Sequence, residues 1–291
     1  MSDYPLFELQ GLRFGGDEPI KVSNFDPGSA SVRSGDAENE VGDGIRLGRD
    51  YLTPPTWAFD IFTDVNDWAE ALELDDRLAA VWQDEETRTT IGRAVPLRYW
   101  MAGRWRRVYG RPRRYAGADG GLLTKLGRGE MTADFSLVDR LHYADDEQSI
   151  SVGSVPETTG GIVFPVVFPL VTMPRTSTER PGQFTVGGTA PTWPRVMIHG
   201  PITNAVIHVG DWSMRTTGTV REGDTLTIDA APWAQSITRS DGASVAGMLH
   251  PSTSLSSLRL KPGHHELVLA GQDSTGLARA TIAWRDAYYR L

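Results

Sequence analysis

Ser244 stands in Gly242-Ala243-Ser244-Val245-Ala246, one residue away from the pentapeptide that lifts a nucleophilic serine on a sharp strand-to-helix turn. Alanine replaces the closing glycine and no helical periodicity follows, so the segment reads as a glycine-bearing connection between strands. The six histidines, His142, His199, His208, His250, His264 and His265, show no metal-binding spacing. His264 and His265 are adjacent and face opposite sides of a strand. His199 and His208 are expected on facing strands, as a paired surface rather than a metal site. Asp36, Glu38, Glu40 and Asp43 resemble a calcium loop in charge alone, because Val41 occupies the sixth position, where such a loop needs glycine. A surface loop is expected there. Gly42, Gly44 and Gly48 miss the dinucleotide-binding spacing. No pair of carboxylates stands out as a glycosidase dyad. With no cysteine in the chain, thiol nucleophiles, disulfides and cysteine-metal sites are excluded. The residues therefore predict no catalytic set, no metal and no cofactor.

Charge carries more information. Residues 64–86 hold nine acids (Asp64, Asp67, Glu70, Glu73, Asp75, Asp76, Asp84, Glu85 and Glu86) against Arg77 alone. Residues 98–115 hold seven arginines (Arg98, Arg104, Arg106, Arg107, Arg111, Arg113 and Arg114) and no acid, interleaved with Tyr99, Trp100, Trp105, Tyr109 and Tyr115. Basic and aromatic residues together suit single-stranded nucleic acid. The acidic block beside them competes for the same arginines, and the net charge of −8 argues against nucleic acid and against an anionic membrane surface. Two readings remain: two solvated faces of one domain, or a surface acidic on one side and basic on the other, as a head-to-tail ring requires. On the second reading the subunit-contact candidates are Glu70, Glu73, Asp76, Asp84, Glu85 and Glu86 facing Arg104, Arg106, Arg107, Arg111, Arg113 and Arg114.

The elements that must carry these residues are mostly strands. The 291 residues are 40% hydrophobic and include 31 glycines and 18 prolines, a composition rich in turns yet able to bury a core. The start shows no leader, and the longest apolar run, Ile162 to Leu170, is broken by Pro165 and Pro169 and is too short to span a bilayer. The spacing predicts one helix over 67–82, capped by Asp64 or Asn66, with Trp68, Ala71, Leu72, Leu78, Ala79 and Trp82 on one face. Asp75 falls within that stripe, either reached by solvent or paired with an arginine. Trp57, Phe59 and Ile61 alternate onto one face of a strand. Val95 to Tyr115 reads as a hairpin turning at Ala102-Gly103, and Glu130 to Leu137 as another strand. The chain becomes polar around Ala144-Asp145-Asp146-Glu147, and a domain boundary is expected near residue 150. Beyond it, short strands at regular spacing read as a sandwich, with Ala280 to Trp284 the last strand.

Gly187-Gly188-Thr189-Ala190-Pro191-Thr192-Trp193-Pro194, the following strand, Gly200-Pro201 and Asn204 resemble the opening of the C-terminal domain of siphophage distal tail proteins, the minor tail protein family of actinobacterial phages. Trp284-Arg285-Asp286-Ala287-Tyr288 is similar to that family's closing motif. Gly48-Arg49-Asp50-Tyr51-Leu52-Thr53-Pro54-Pro55-Thr56-Trp57 and Ala133-Asp134-Phe135 fit the same proteins. Ala205 departs from the pattern, which has proline after the asparagine. The resemblance implies a mainly β chain: residues 1–150 a split β-barrel belt with one helix, residues 151–291 a galectin-like β-sandwich. It further implies a hexameric ring at the tail tip and no active site. The implied partners are the tail tube protein and the baseplate hub or tail-fibre proteins, with the tape measure protein a further candidate. Synthesis is expected in the host cytoplasm. The alternative is a carbohydrate-binding module contacting the host cell wall, motivated by Trp193, Trp212, Trp233 and Trp284.

Overall fold

The computed structural model describes residues 5–154, 182–273 and 275–290. The apolar run from Ile162 to Leu170 lies outside the described residues. The chain is mainly β and divides into two compact units. The first runs to Asp145 and resumes at Ala287; the second is Asp146–Asp286.

The first unit contains β1 (Leu6–Leu9), β2 (Leu12–Gly15), β3 (Ile20–Asp26), β4 (Ser31–Arg33), β5 (Ala37–Glu38), β6 (Ile45–Arg46), β7 (Tyr51–Thr53), β8 (Thr56–Thr63), α1 (Trp68–Trp82), α2 (Glu85–Thr89), β9 (Val95–Met101), β10 (Arg104–Ala116), α3 (Leu122–Lys125), β11 (Glu130–Leu137) and β12 (His142–Ala144). The second contains β13 (Gln148–Gly153), β14 (Gly182–Val186), β15 (Arg195–His199), β16 (Ile202–Val209), β17 (Trp212–Arg215), β18 (Thr219–Val220), β19 (Thr225–Asp229), β20 (Ser236–Arg239), β21 (Gly263–Gln272) and β22 (Arg279–Trp284). A final strand, β23 (Ala287–Tyr288), returns to the first unit and pairs with β12.

The main sheet of the first unit runs β2-β1-β9-β10-β11-β8-β3, with β12 on β10. Strands β1 and β8 are four places apart in that order, ~19 Å in a flat sheet. Yet the rings of Phe7 and Phe59 lie 5.0 Å apart, and Phe7 and Phe25 5.1 Å. The sheet therefore rolls onto itself around a core of Phe7, Phe14, Trp57, Phe59, Tyr99 and Phe135. Among the described residues no ladder joins the end strands β2 and β3, so the barrel is split rather than closed. Trp57, Phe59 and Ile61 share the inner face as expected. The β9–β10 hairpin turns at Ala102 and Gly103, both at positive φ (49° and 78°), the geometry that matches strand twist in a two-residue loop.

Helix α1 closes over this core. Its cap is Asp67, which accepts the Glu70 N–H at 3.2 Å, in place of the expected Asp64 or Asn66. The buried stripe is Ala71, Leu74, Leu78 and Trp82; Trp68, expected on it, is 48% exposed. The stripe starts one turn late because the first turn serves the cap and lies beyond the sheet edge. Asp75 meets neither expectation. The buried Tyr115 hydroxyl and the Ala118 N–H, the latter at 3.2 Å, both donate to its carboxylate, and no arginine is involved. Beside the expected single helix stand two short ones, α2 and α3.

Residues 31–53 form an arm. β4 pairs with β7 and β5 with β6, and every residue from Ser31 to Thr53 is exposed. The expected loop at Asp36–Asp43 is the far end of this hairpin, where the Gly48 N–H donates to the Asp36 carboxylate at 2.7 Å.

The second unit is a sandwich of two antiparallel sheets, β13-β22-β15-β19-β20 and β14-β21-β16-β17 with β18 on β16. Val196, Ile198, Leu226, Ile228, Ala280, Ile282 and Trp284 from one sheet meet Phe184, Val186, Ile207, Val209, Met214, Leu267 and Leu269 from the other in one core. Since Ile198 and Ile207 point inward, His199 and His208 point outward from opposite sheets and do not form the expected pair. The expected last strand, Ala280 to Trp284, is followed by β23, two residues long and paired with a strand far upstream.

Candidate functional site

Among the described residues, the predicted contact residues separate into those engaged within their own chain and those that stand exposed. Glu70, Glu73 and Asp76 lie exposed on α1, and Glu85 on α2. Asp84 caps α2, accepting the Thr87 N–H at 2.8 Å, which with the Thr87 hydroxyl holds its pKa below the usual carboxylate value. Glu86 pairs with Arg93. On the arginine hairpin, Arg104, Arg113 and Arg114 are exposed. Arg111 donates to the carbonyls of Thr90 (2.7 Å) and Arg93 (2.9 Å), tying β10 to the segment after α2. Arg107 forks onto Asp145 at 2.6 Å. Arg106 is buried, its guanidinium 4.0 Å from the centre of the Tyr288 ring, with Nη1 donating to the Arg290 carbonyl. Alternation accounts for this split: Arg106, Val108 and Gly110 face the core, whereas Trp105, Arg107 and Tyr109 face the other way.

Asp145 anchors a charge cluster absent from the sequence reading. Arg98 and Arg107 both donate to it at 2.6 Å, and Arg98 also reaches Glu8 at 2.6 Å. Burial raises the Asp145 pKa, but the bonds from Arg98 and Arg107 outweigh it and hold the group ionised. Two residues on, Glu147 pairs with Arg195 at 2.8 Å. The polar stretch 144–147 thus anchors ion pairs in each unit.

Behind Arg106, His142 is buried against Trp57, and its Nδ1 lies 2.9 Å from the Tyr99 hydroxyl. Burial, with the Arg106 charge adding, pushes its pKa down to about 4. The unfolded chain, with a histidine near 6.5, therefore binds a proton that the folded chain refuses. Stability contributed by neutral His142 is full above pH ~6.5 and lost as pH falls towards 4, about 3 kcal/mol in all. Denaturant midpoints at pH 7 and pH 4.5 should differ less for His142→Gln than for the parent; equal differences would exclude His142 as the cause.

The resemblance motifs meet in the second unit. The Gly187 N–H donates to Asp286 at 2.9 Å, the Thr192 hydroxyl donates to the Arg285 carbonyl at 2.6 Å, and the Trp284 ring lies 4.8 Å from Phe184. A Cβ on Gly187 would stand 2.4 Å from the Asp286 carboxylate and would push it off the Gly187 N–H. Asn204 sits at φ 50° in a bulge of β16 and accepts the Gly218 N–H at 3.0 Å. These motif residues hold the sandwich together. Ser244 lies exposed in the turn beyond β20, bridged to Thr238.

Sequence reasoning missed the arm and the exposed leucines of α3, Leu122 and Leu123, with Leu126 following. Glycines at 120–121 and 127 bracket that segment and were its available signal.

A rolled, split sheet carrying one long helix, with a β-sandwich inserted before its last strand, is the fold of phage baseplate hub proteins. The Dit protein (gp 19.1) of phage SPP1, a paradigm of the hub adsorption apparatus in phages infecting Gram-positive hosts, matches with a TM-score of 0.60 at 14% identity, covering 97% of this chain and 98% of that one. The phage P2 baseplate in its activated conformation with calcium gives 0.56 at 12% identity over 97% and 98%, and with strontium 0.55 at 12% over 96% and 97%. No protein-family model and no curated protein sequence matches the chain.

Proposed function

We propose that this chain is a structural component of a phage tail tip, a distal tail protein whose first unit closes into a hexameric ring. The ring joins the tail tube to the baseplate hub or fibres, with the tape measure protein as a further contact, and the chain performs no catalysis. The observation carrying this reading is the end-to-end fold correspondence with the SPP1 protein, covering 97% of this chain. Complementary exposed charge supports it: Glu70, Glu73, Asp76 and Glu85 on the helices, Arg104, Arg113 and Arg114 on β10.

The carbohydrate-binding alternative has less support. A sugar site needs an aromatic face open to solvent. Trp284 is 4% exposed, Arg259 lies 4.2 Å over the Trp193 ring, and Trp212 donates its indole N–H to the Arg259 carbonyl at 3.0 Å. The groove of about 500 Å³ lined by Gln183, Phe184, Thr185, His264, His265 and Glu266 has one benzene ring, and Phe184 is only 9% exposed and packs against His265 and Trp284.

Quantitative mass spectrometry of purified virions, with gold-labelled antibody on tails, tests the reading. Six copies per particle at the tail tip are expected. Absence from virions, or labelling along the tube, would overturn it. Native mass of the purified chain should show assemblies that loosen as salt rises, because exposed pairs are screened over ~8 Å at physiological ionic strength.

A further inference from the structure

Among the described residues, the arm 31–53 packs against nothing outside itself, and each of its residues is exposed. Its described side-chain contacts stay inside the arm, with Arg33 and Arg49 over the Tyr51 ring at 5.3 and 5.2 Å. Val41 (96%), Leu47 (82%), Ile45 (65%) and Val32 (58%) stand in solvent. A two-stranded hairpin alone is marginal in water, and contiguous exposed apolar side chains mark an interaction surface.

The same unit carries a second open apolar patch of different shape. The one-turn helix α3 exposes Leu122 (74%) and Leu123, and Leu126 (61%) follows. Leu122 and Leu123 border a groove of about 470 Å³ floored by Ala116, Gly117 and Met131. The charges of the two patches are opposite. The arm segment 36–43 holds Asp36, Glu38, Glu40 and Asp43 and no base. The platform segment 113–130 holds Arg113, Arg114, Lys125 and Arg128 against Asp119 and the groove-lining Glu130, and the Asp119 carboxylate is occupied by the Gly121 N–H at 3.0 Å. Arg128 is only loosely held, 3.8 Å from Asp64 with both side chains largely exposed.

We infer that the arm of one chain docks on the α3 platform of a second copy, its acidic tip against Arg113, Arg114, Lys125 and Arg128 and its apolar side chains in the leucine groove. The inference rests on the ring reading above and supplies its contact. Arm and platform are different patches, so the contact is head-to-tail: each copy gives one arm and receives one, and the series ends only by closing. The arm also explains how contacts form although Arg106, Arg107 and Arg111 are engaged within their own chain.

The chain has no cysteine, so introduced thiols are unambiguous. Leu47→Cys and Leu122→Cys, made separately in the full chain, are mixed and treated with a short bismaleimide. The mixture should give a covalent dimer that neither variant gives alone, and the double variant a ladder ending at the ring size. A ring by native mass with no cross-link between the two positions would sink the arm contact and leave the ring reading standing. No assembly in either purified protein or tails would remove both. A link formed only within one chain, or an arm that links instead to another tail protein, also overturns the inference. As a second measure, Glu38→Lys with Glu40→Lys should weaken association about tenfold or more without changing Tm, and Lys125→Glu with Arg128→Glu on the partner copy should restore it. Unchanged association in the first variant would show that the tip makes no contact.

Discussion

Asp273→Ala is expected to destabilise the second unit by about 4 kcal/mol, through orphaned donors rather than lost packing. The carboxylate is 5% exposed. It accepts the Ser154 hydroxyl, the Thr275 N–H and hydroxyl at 2.8 and 2.7 Å, and the Gly276 and Ala278 N–H groups at 3.0 Å each. Burial alone would raise its pKa; the bonds from Ser154 and Thr275, followed by those from the backbone, outweigh it and hold the group far below the usual range. Because the folded value is the lower one, the contribution is complete above the unfolded value of ~3.9 and is lost as pH falls below it. Asp273→Asn keeps the shape and should lose about half as much. Urea unfolding followed by hydrogen exchange of peptides from β21 and β22, which lie in the same unit, measures both. A loss under ~1 kcal/mol for the alanine variant would show that water replaces the carboxylate.

Arg106→Glu is expected to cost about 4 kcal/mol or more, against ~0.5 for Arg113→Glu. Arg106 is 5% exposed, stacked at 4.0 Å on Tyr288 and hydrogen-bonded to the Arg290 carbonyl. A carboxylate there would face the electron-rich ring and a carbonyl oxygen, both repulsive, with no water to screen it. Arg106→Met should be nearly neutral, because the Nε of Arg106 has no partner and its desolvation is only partly offset. Thermal unfolding of the three variants is the measurement. If Arg106→Glu melts with the parent, the burial is wrong. The ranking also fixes how assembly is probed: charge reversal reports on contacts between copies at Arg104, Arg113 and Arg114, whereas at Arg106 it reports on folding.

The inner faces were legible where the pattern is local. Trp57, Phe59 and Ile61 alternate, and the Ala102-Gly103 turn follows from two adjacent residues that tolerate positive φ. The helix was legible in place and in part of its face: Ala71, Leu78 and Trp82 are buried as expected, Leu72 and Ala79 are half-buried, and Leu74 stands in the stripe where Trp68 was expected. The arm was not legible because none of its residues is buried, and a hairpin without an inner face leaves no periodicity. Strand β23 was hidden for a different reason: two residues carry no pattern, and its partner His142–Tyr143 lies a whole domain upstream. Charge sums located the arginines but not their partners, since Asp145 lies 38 residues beyond Arg107 in sequence, outside both charged blocks.

The position of β23 has a consequence in time. A ribosome makes β12 first, then all of Asp146–Asp286, and only then Ala287–Tyr288. At ~5–20 residues per second that interval is roughly ten seconds. Throughout it β12 lacks its neighbour, and Arg106 lacks both the Tyr288 ring and the Arg290 carbonyl that cover it. The sandwich, whose strands β13 to β22 follow one another in the chain, is complete before the first unit has its last strand. A nascent chain therefore exposes an unfinished first unit until its final residues emerge, and truncation at Asp286 would leave the sandwich intact while stripping the other unit of its last strand.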